Sequence, residues 1–358
     1  MNTTIQSVLQ NHGAAYPLMK PCDAVKLIYQ SVFGGGHMIP SEQAAKERLT
    51  AEYNAISHNR EPHMESLGKT ARIYLDTPFT QAGLDLLAQL FCISAEAFHK
   101  GWDTADDAAK EEFSASLACL RKLTAEGVFS FSTEELDTYL AEYSAAGYPA
   151  VRHSEVYRNA YAPAYRVIDA RYARIFDLLL KIGELAGTAQ RVVIAIDGRC
   201  ASGKSTMAEQ IARIYPASVI HMDDFFLPGE LRTPERMGET GGNLHRERFL
   251  EEVIPNLQRG SFAYRVFQCS TFTYADKPRV VEDNKLIICE GSYALHPDFG
   301  KYYDIAVFSD IDPEEQLRRI RERDGEFMLK RFRNEWIPME EKYFTGMGIR
   351  EKCDYILF

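Results

Sequence analysis

Val192-Val193-Ile194-Ala195-Ile196-Asp197-Gly198-Arg199-Cys200-Ala201-Ser202-Gly203-Lys204-Ser205-Thr206 decides the fold of half of this chain. It opens on an unbroken apolar run, mostly β-branched, of the kind found in strands buried on both faces of a parallel sheet. The run ends in a stretch that matches G-x-x-x-x-G-K-[ST] from Gly198 to Ser205. Glycines let the backbone curl so that successive N–H groups converge on an anion. The lysine ammonium can reach the outer phosphates, and the Ser205 hydroxyl can bind magnesium. A helical pattern beginning near Lys204 adds its positive N-terminal end to the same place. The order strand, loop, helix predicts a nucleotide site formed by Gly198, Ala201, Ser202, Gly203, Lys204, Ser205 and Thr206.

Working outward, similar runs recur at Val219-Ile220, Leu286-Ile287-Ile288-Cys289, Ile305-Ala306-Val307-Phe308 and Tyr355-Ile356-Leu357-Phe358. Helical patterns at 204–213, 245–257 and 313–323 lie between them. This alternation predicts an α/β fold with a doubly wound parallel sheet of about five strands. The second run leads into His221-Met222-Asp223-Asp224-Phe225-Phe226-Leu227-Pro228. A carboxylate at that strand end lies beside the phosphate loop. There it can accept a proton from a hydroxyl attacking a γ-phosphoryl group. The sequence has no Asn-Lys-x-Asp, as a GTPase would carry for guanine, and no Leu-Ser-Gly-Gly signature of an ABC ATPase.

The first half predicts a mostly helical domain. Ser41, with Pro40 ahead of it, caps one helix; Gly83–Phe98 and Ala108–Leu123 carry helical spacing; Ser132 and Glu135 form a capping box. A long periodic segment runs from Ala164 to Leu185, with Gly187 placed as its C-cap. Ala71–Leu75 is the one strand signal. The boundary falls at Gly187–Gln190, giving domains 1–187 and 188–358. Gly34-Gly35-Gly36-His37 reads as a helix end followed by a loop. The run from Arg152 to Arg166 concentrates aromatic and basic residues, which fits helix packing with snorkelled charges better than a binding groove. His37, His58, His63 and His153 have no metal-ligand spacing.

The bulk properties agree with a globular protein. The 358 residues are 46% hydrophobic and 26% charged, which excludes a disordered chain or a small disulfide scaffold. The net charge is −10, from 41 basic and 51 acidic residues. Such a balance argues against nucleic acid or an anionic membrane as partner. Seven cysteines without a Cys-x-x-Cys, no secretory signal and no long apolar run point to a cytoplasmic protein with reduced thiols, open to homo-oligomerisation.

Residues 190–358 resemble the uridine kinase family and its relatives, the nicotinamide riboside kinases, pantothenate kinases and phosphoribulokinases. The phosphate loop is followed by Asp223-Asp224-Phe225-Phe226, similar to the family's Asp-x-Phe-Tyr/Phe motif. Gly242-Asn243-Leu244-His245 resembles its substrate-side segment, and Cys289-Glu290-Gly291 its strand-end Glu-Gly. Asp310-Ile311-Asp312-Pro313 and Leu317-Arg318-Arg319-Ile320 resemble the approach to its lid. Residues 318–333 hold seven basic and three acidic side chains, a local excess in an acidic chain. The resemblance implies an ATP- and magnesium-dependent kinase. Asp223 would be the base and Lys204 would act on the phosphates. Ser205 and Glu290 would sit at the metal, Arg319 and Arg323 at the nucleotide, and Asp224, Phe225, His245 and Arg279 on the acceptor side. It implies a small hydroxyl acceptor, first a uridine- or cytidine-like nucleoside, then another riboside, pantothenate or another metabolite. Two departures stand out. The lid reads Arg-Arg-Ile-Arg-Glu-Arg-Asp, and Tyr264-Arg-Val-Phe-Gln-Cys-Ser-Thr replaces the family's Pro-x-Tyr-Asp-Phe. An ATP-responsive regulatory protein is the rival class, but a pure sensor has no need of both Asp223 and Glu290.

Overall fold

The computed structural model describes residues 4–35, 41–61, 63–98 and 101–358. The chain forms two compact units, Met1–Phe176 and Asp177–Phe358. Pro40, Gly36 and His37, singled out above, lie outside the described residues.

The first unit contains α1 (Ile5–Ala15), α2 (Pro21–Phe33), α3 (Glu42–Asn54), β1 (Met64–Ser66), β2 (Thr70–Tyr74), α4 (Gln81–Ala97), α5 (Asp107–Ala125), α6 (Thr133–Ala145), α7 (Glu155–Tyr161), β3 (Tyr165–Asp169) and the short α8 (Ala170–Ala173). Ser41 accepts the Ala44 N–H to cap α3, and Ser132 and Glu135 make the reciprocal capping box of α6. The long helix expected from Ala164 does not form. Tyr165–Asp169 instead pairs antiparallel with β2, giving the sheet order β1-β2-β3. Val167 and Ile168 are consecutive and both buried, which strand pairing accommodates. Asp169 then caps α8 and closes the strand.

Inside this unit lies a polar network. Arg72, 1% exposed, donates Nε and Nη2 to Gln30 Oε1 at 3.0 and 2.6 Å and Nη1 to Glu65 at 3.2 Å. His153 bridges Asp23 (2.9 Å) and the Tyr165 hydroxyl (2.7 Å), and Ser154 donates its N–H and hydroxyl to Asp23. Of the aromatic and basic run from Arg152, His153, Tyr157 and Tyr165 therefore pack inward around buried charge, while Arg152 and Arg158 stay exposed.

The second unit begins with α9 (Phe176–Thr188), whose Leu179 carbonyl accepts the Tyr215 hydroxyl at 3.0 Å. The helix thus goes with the sheet, and the division lies ahead of the Gly187–Gln190 position expected from sequence; Gly187 sits inside the helix. The remaining elements are β4 (Val192–Gly198), α10 (Lys204–Ile214), β5 (Ala217–His221), α11 (Pro234–Gly238), α12 (Arg246–Arg248), β6 (Phe262–Tyr264), β7 (Phe267–Gln268), β8 (Thr273–Tyr274), β9 (Arg279–Val281), β10 (Leu286–Glu290), β11 (Ile305–Ser309), α13 (Pro313–Arg331), α14 (Ile337–Met347) and β12 (Tyr355–Leu357).

The main sheet is parallel, in the order β12-β11-β4-β10-β5. Every residue of β4 is buried, as its unbroken apolar run requires. One sheet face packs Val193, Ala195, Ile287, Cys289, Ala306 and Phe308 against Phe249, Val253, Tyr343 and Phe344. Alternation turns Val192, Ile194 and Ile196 to the other face. α10, which packs along β4, β5 and β10, buries Met207, Ala208 and Ile211. This is a doubly wound α/β unit. The first strand is central, so the loops after β4, β5 and β10 open at one edge, where ligands bind in open sheets. Among the described residues no helix is long and apolar enough to cross a membrane.

Candidate active site

The loop after β4 is shaped by its glycines. Gly198 has φ 133°, and a Cβ there would stand 2.1 Å from the Ser309 carbonyl oxygen, so only glycine fits. Ala201 (φ 60°) and Gly203 (φ 98°) complete the curl. The donors divide into two sets. Gly198 N–H goes to the Asp197 carboxylate (2.7 Å), Arg199 N–H to the Ser309 carbonyl (3.2 Å), Cys200 N–H to Glu340 (2.9 Å) and Ser202 N–H to the Arg199 carbonyl (3.2 Å). The N–H groups of Ala201, Gly203, Lys204, Ser205 and Thr206 have no acceptor among the described residues, and the last three form the first turn of α10. Five converging free donors at a helix start are an anion site. Lys204 Nζ donates to the carbonyls of Gly198 (2.7 Å) and Arg199 (2.9 Å), which leaves a third proton for a ligand. The buried Ser202 hydroxyl has no partner among the described residues.

Beside the loop, Glu290 ends β10 in register with Ile196 and His221. Its Oε1 accepts the Ser205 hydroxyl at 3.0 Å and faces His221 Nδ1 at 2.5 Å. That bond to Glu290 raises the His221 pKa. Among the described residues no group of three or more His, Cys, Asp or Glu could hold a metal ion alone. Ser205 and Glu290 together offer hard oxygen donors. Such a small set suits magnesium, which keeps waters and takes its other ligands from phosphates.

Asp223 and Asp224 lie in a 3₁₀ turn, Met222–Phe225, rather than in the strand itself. At three residues per turn, neighbours still diverge by about 120°. Asp224 turns inward, 6% exposed, and accepts the Tyr264 hydroxyl at 2.8 Å and Arg279 Nη1 at 2.9 Å. Asp223 turns outward; its carboxylate has no hydrogen bond or ion pair with a described residue. It stays open to solvent although protein surrounds it. That burial chiefly raises its pKa; Lys204 opposes the shift, and Glu290 and Asp224 add to it.

The other predicted residues fall in different places. Phe225 is fully buried and stacks with Phe249 and Tyr264, so it builds the core under the site and cannot touch an acceptor. His245 is tied to the acid motif: its N–H donates to the Phe225 carbonyl (2.7 Å), and Leu227 N–H donates to the Asn243 carbonyl (2.8 Å). Asn243 Oδ1 and His245 Nδ1 are buried atoms without a partner among the described residues. Arg279 stands opposite Tyr264 on β9 and is spoken for by Asp224. In the segment expected to form a lid, α13 is interrupted at Gly325 (φ 78°, ψ 173°), and Ile320, Leu329 and Phe332 pack with Cys200 and Ala201 of the loop. Arg319 pairs with Glu315 through Nε (2.7 Å) and reaches the Ala201 carbonyl through Nη1 at 3.3 Å, and Arg323 pairs with Asp324 and lies over Phe332.

Sequence reasoning missed three contributors. Asp197, fully buried, accepts N–H groups from Gly198, Tyr293 (3.1 Å) and Leu295 (2.9 Å) and the Tyr343 hydroxyl (2.8 Å). Burial pushes its pKa up to about 6 despite these donors. An acid directly after a fully apolar strand was the available signal. His221 was visible only as a strand-end residue. Glu340, on a distant helix, gave no signal.

No family model matches the sequence, and no curated protein matches it. Among solved structures, the chain is similar to one described as a possible uridine kinase from Bacillus stearothermophilus, at 21% identity and a TM-score of 0.42, over 52% of this chain and 98% of that one. It is also similar to a D-glycerate 3-kinase from Cryptococcus neoformans, at 12% identity and a TM-score of 0.35, over 48% of this chain and 86% of that one.

Proposed function

We propose that the second unit is an ATP-dependent kinase that transfers the γ-phosphoryl group to a hydroxyl of a small metabolite. One observation carries the proposal. Five free N–H donors and Lys204 adjoin the Ser205–Glu290 pair, and an unpaired carboxylate, Asp223, stands at the end of the neighbouring strand. A nucleotide site alone has no use for Asp223.

In this scheme the loop donors and Lys204 hold the phosphates in line with the acceptor. Asp223 accepts the proton of the attacking hydroxyl, and the burial that raises its pKa makes it a stronger proton acceptor than an ordinary carboxylate. Magnesium, held with the nucleotide by Ser205 and Glu290, would neutralise charge on the transferring group. Arg319, already at the loop, can add to that charge stabilisation, and the stacked lid can exclude water. A nucleoside of the uridine or cytidine kind is the acceptor the family resemblance favours. Residues 188–358, with α9 attached, would carry the activity.

Incubating the full chain with γ-labelled ATP, magnesium and a panel of nucleosides, other ribosides, pantothenate and sugar acids tests this. Label should move to one acceptor class. Tight ATP binding with no transfer to any member would favour a nucleotide-responsive regulator instead.

A further inference from the structure

The loop that would hold ATP is itself held by α14, which lies beyond the lid. Glu340, 7% exposed, accepts the Cys200 N–H on Oε2 at 2.9 Å and the Ser292 hydroxyl on Oε1 at 2.6 Å. Cys200 belongs to the phosphate loop; Ser292 lies two residues after Glu290. One carboxylate thus joins the turns that leave two adjacent strands, β4 and β10. The next residue, Glu341, takes Arg199 through Nε (2.6 Å) and Nη2 (3.1 Å), and Tyr343 bonds Asp197.

We infer that Glu340 is a positioning residue for the nucleotide. This rests on the kinase reading above. It fixes the first half of the phosphate loop in the geometry that leaves the second half free for phosphate.

The donor accounting shows why. Four loop N–H groups are consumed inside the protein, and among the described residues Glu340 is the only side chain from beyond β4 and the loop that takes one of them. A carboxylate placed near phosphates would ordinarily repel them. Here its two oxygens are occupied by an N–H and a hydroxyl, and the Arg199 guanidinium stands on the adjacent loop residue. Without Glu340, the Cys200 N–H becomes a sixth unpaired donor in a tight turn, and the peptide is free to rotate toward water. Ser292 is released at the same time, and it follows the strongly bent Gly291 (φ 135°), whose Cβ would meet Met222 at 2.8 Å. Both phosphate-side and metal-side turns would loosen together. Lys204 feels this too, since its ammonium rests on the Gly198 and Arg199 carbonyls just before Cys200.

The test is calorimetric titration of the full chain with ATP and magnesium, well below each variant's melting temperature. Glu340→Ala should raise the ATP Kd about tenfold to a hundredfold, the range expected for a lost charge-assisted hydrogen bond. Glu340→Gln, which still offers an oxygen to Cys200, should stay within about threefold of wild type. Ser292→Ala removes only the second bond and should raise Kd by a few-fold. A purely structural role predicts another pattern: a lower melting temperature and fewer binding-competent molecules, with Kd unchanged in those that remain. An unchanged Kd in Glu340→Ala overturns the inference. Should Glu340→Ala not fold, an unchanged Kd in Ser292→Ala does so. Wild-type protein that binds no ATP at all would instead sink the kinase reading itself.

Discussion

Asp223→Asn and Asp224→Asn should separate chemistry from stability, because these adjacent carboxylates have opposite surroundings. Asp223 has no bonded partner to lose, so its amide variant should fold with stability within about 0.5 kcal/mol of wild type. Its loss should appear in the phosphoryl-transfer step. General-base assistance is worth about 10²–10⁴-fold, or about 3–5 kcal/mol of barrier. Asp224→Asn removes the charge that receives the Tyr264 hydroxyl at 2.8 Å and Arg279 at 2.9 Å. The buried bond to a charged acceptor is worth about 1.5–3 kcal/mol. The partly exposed arginine adds less than about 1 kcal/mol. Burial raises the Asp224 pKa, so removing its charge also relieves a desolvation cost. The net should be about 2 kcal/mol, a fall of about 4–8 °C in melting temperature for a unit of this size. Single-turnover transfer from γ-labelled ATP, run beside thermal melts of both variants, gives the comparison. Near-native transfer by Asp223→Asn, or a larger chemical loss in Asp224→Asn, would refute the division of roles argued from their side-chain partners.

Lys204→Ala should lose most ATP affinity and turnover, since it removes the ammonium that rests on the Gly198 and Arg199 carbonyls with one proton left for a phosphate; equilibrium binding of ATP checks it. Gly198→Ala should abolish binding and lower the melting temperature, because its Cβ would lie 2.1 Å from the Ser309 carbonyl oxygen, whereas Gly203→Ala meets nothing within 4 Å and should show only the backbone strain of about 1–2 kcal/mol. In the first unit, burial lowers His153 from 6.5 to about 4, so the unfolded chain binds more protons than the native one between those values. Stability should therefore fall by about 3 kcal/mol as pH drops from 6.5 to 4, and His153→Gln should flatten that slope in pH-dependent melts of the full chain.

Much of this fold was legible because its signals are local. The run at Val192–Ile196 and the glycines after it leave few alternatives, since an unbroken β-branched run followed by a tight turn and a helix start fits one supersecondary unit. The caps at Ser41 and Ser132 were equally plain, a side-chain oxygen three residues ahead of the N–H it takes. The region from Ala164 failed for a physical reason. Apolar residues at 164, 167, 168, 175 and 179 satisfy a helical period, yet Tyr165–Asp169 also satisfies a strand whose partner lies almost a hundred residues earlier. Periodicity describes which face is buried; it does not say against what. Arg72 illustrates the same limit. Nothing in Thr70-Ala71-Arg72-Ile73-Tyr74 announces an arginine enclosed by Gln30, Glu65 and Tyr165.

The site divides along that line. The free N–H groups proposed to meet phosphate are backbone groups of one short loop, so their spacing is fixed by the chain itself and shows as a motif. What holds those groups in place comes from residues about 100 to 150 positions away: the side chains of Glu340 on Cys200, Glu341 on Arg199 and Tyr343 on Asp197, and the Ser309 backbone behind Gly198. A single acid on an amphipathic helix looks the same in sequence whether it faces water or a buried N–H. Yet the energetics differ sharply, since an exposed charge contributes little and a buried acceptor that disappears leaves an unsatisfied donor costing about 1–3 kcal/mol. The loop can therefore keep every residue of its motif and still lose its shape through one substitution on α14, where no motif would register the change.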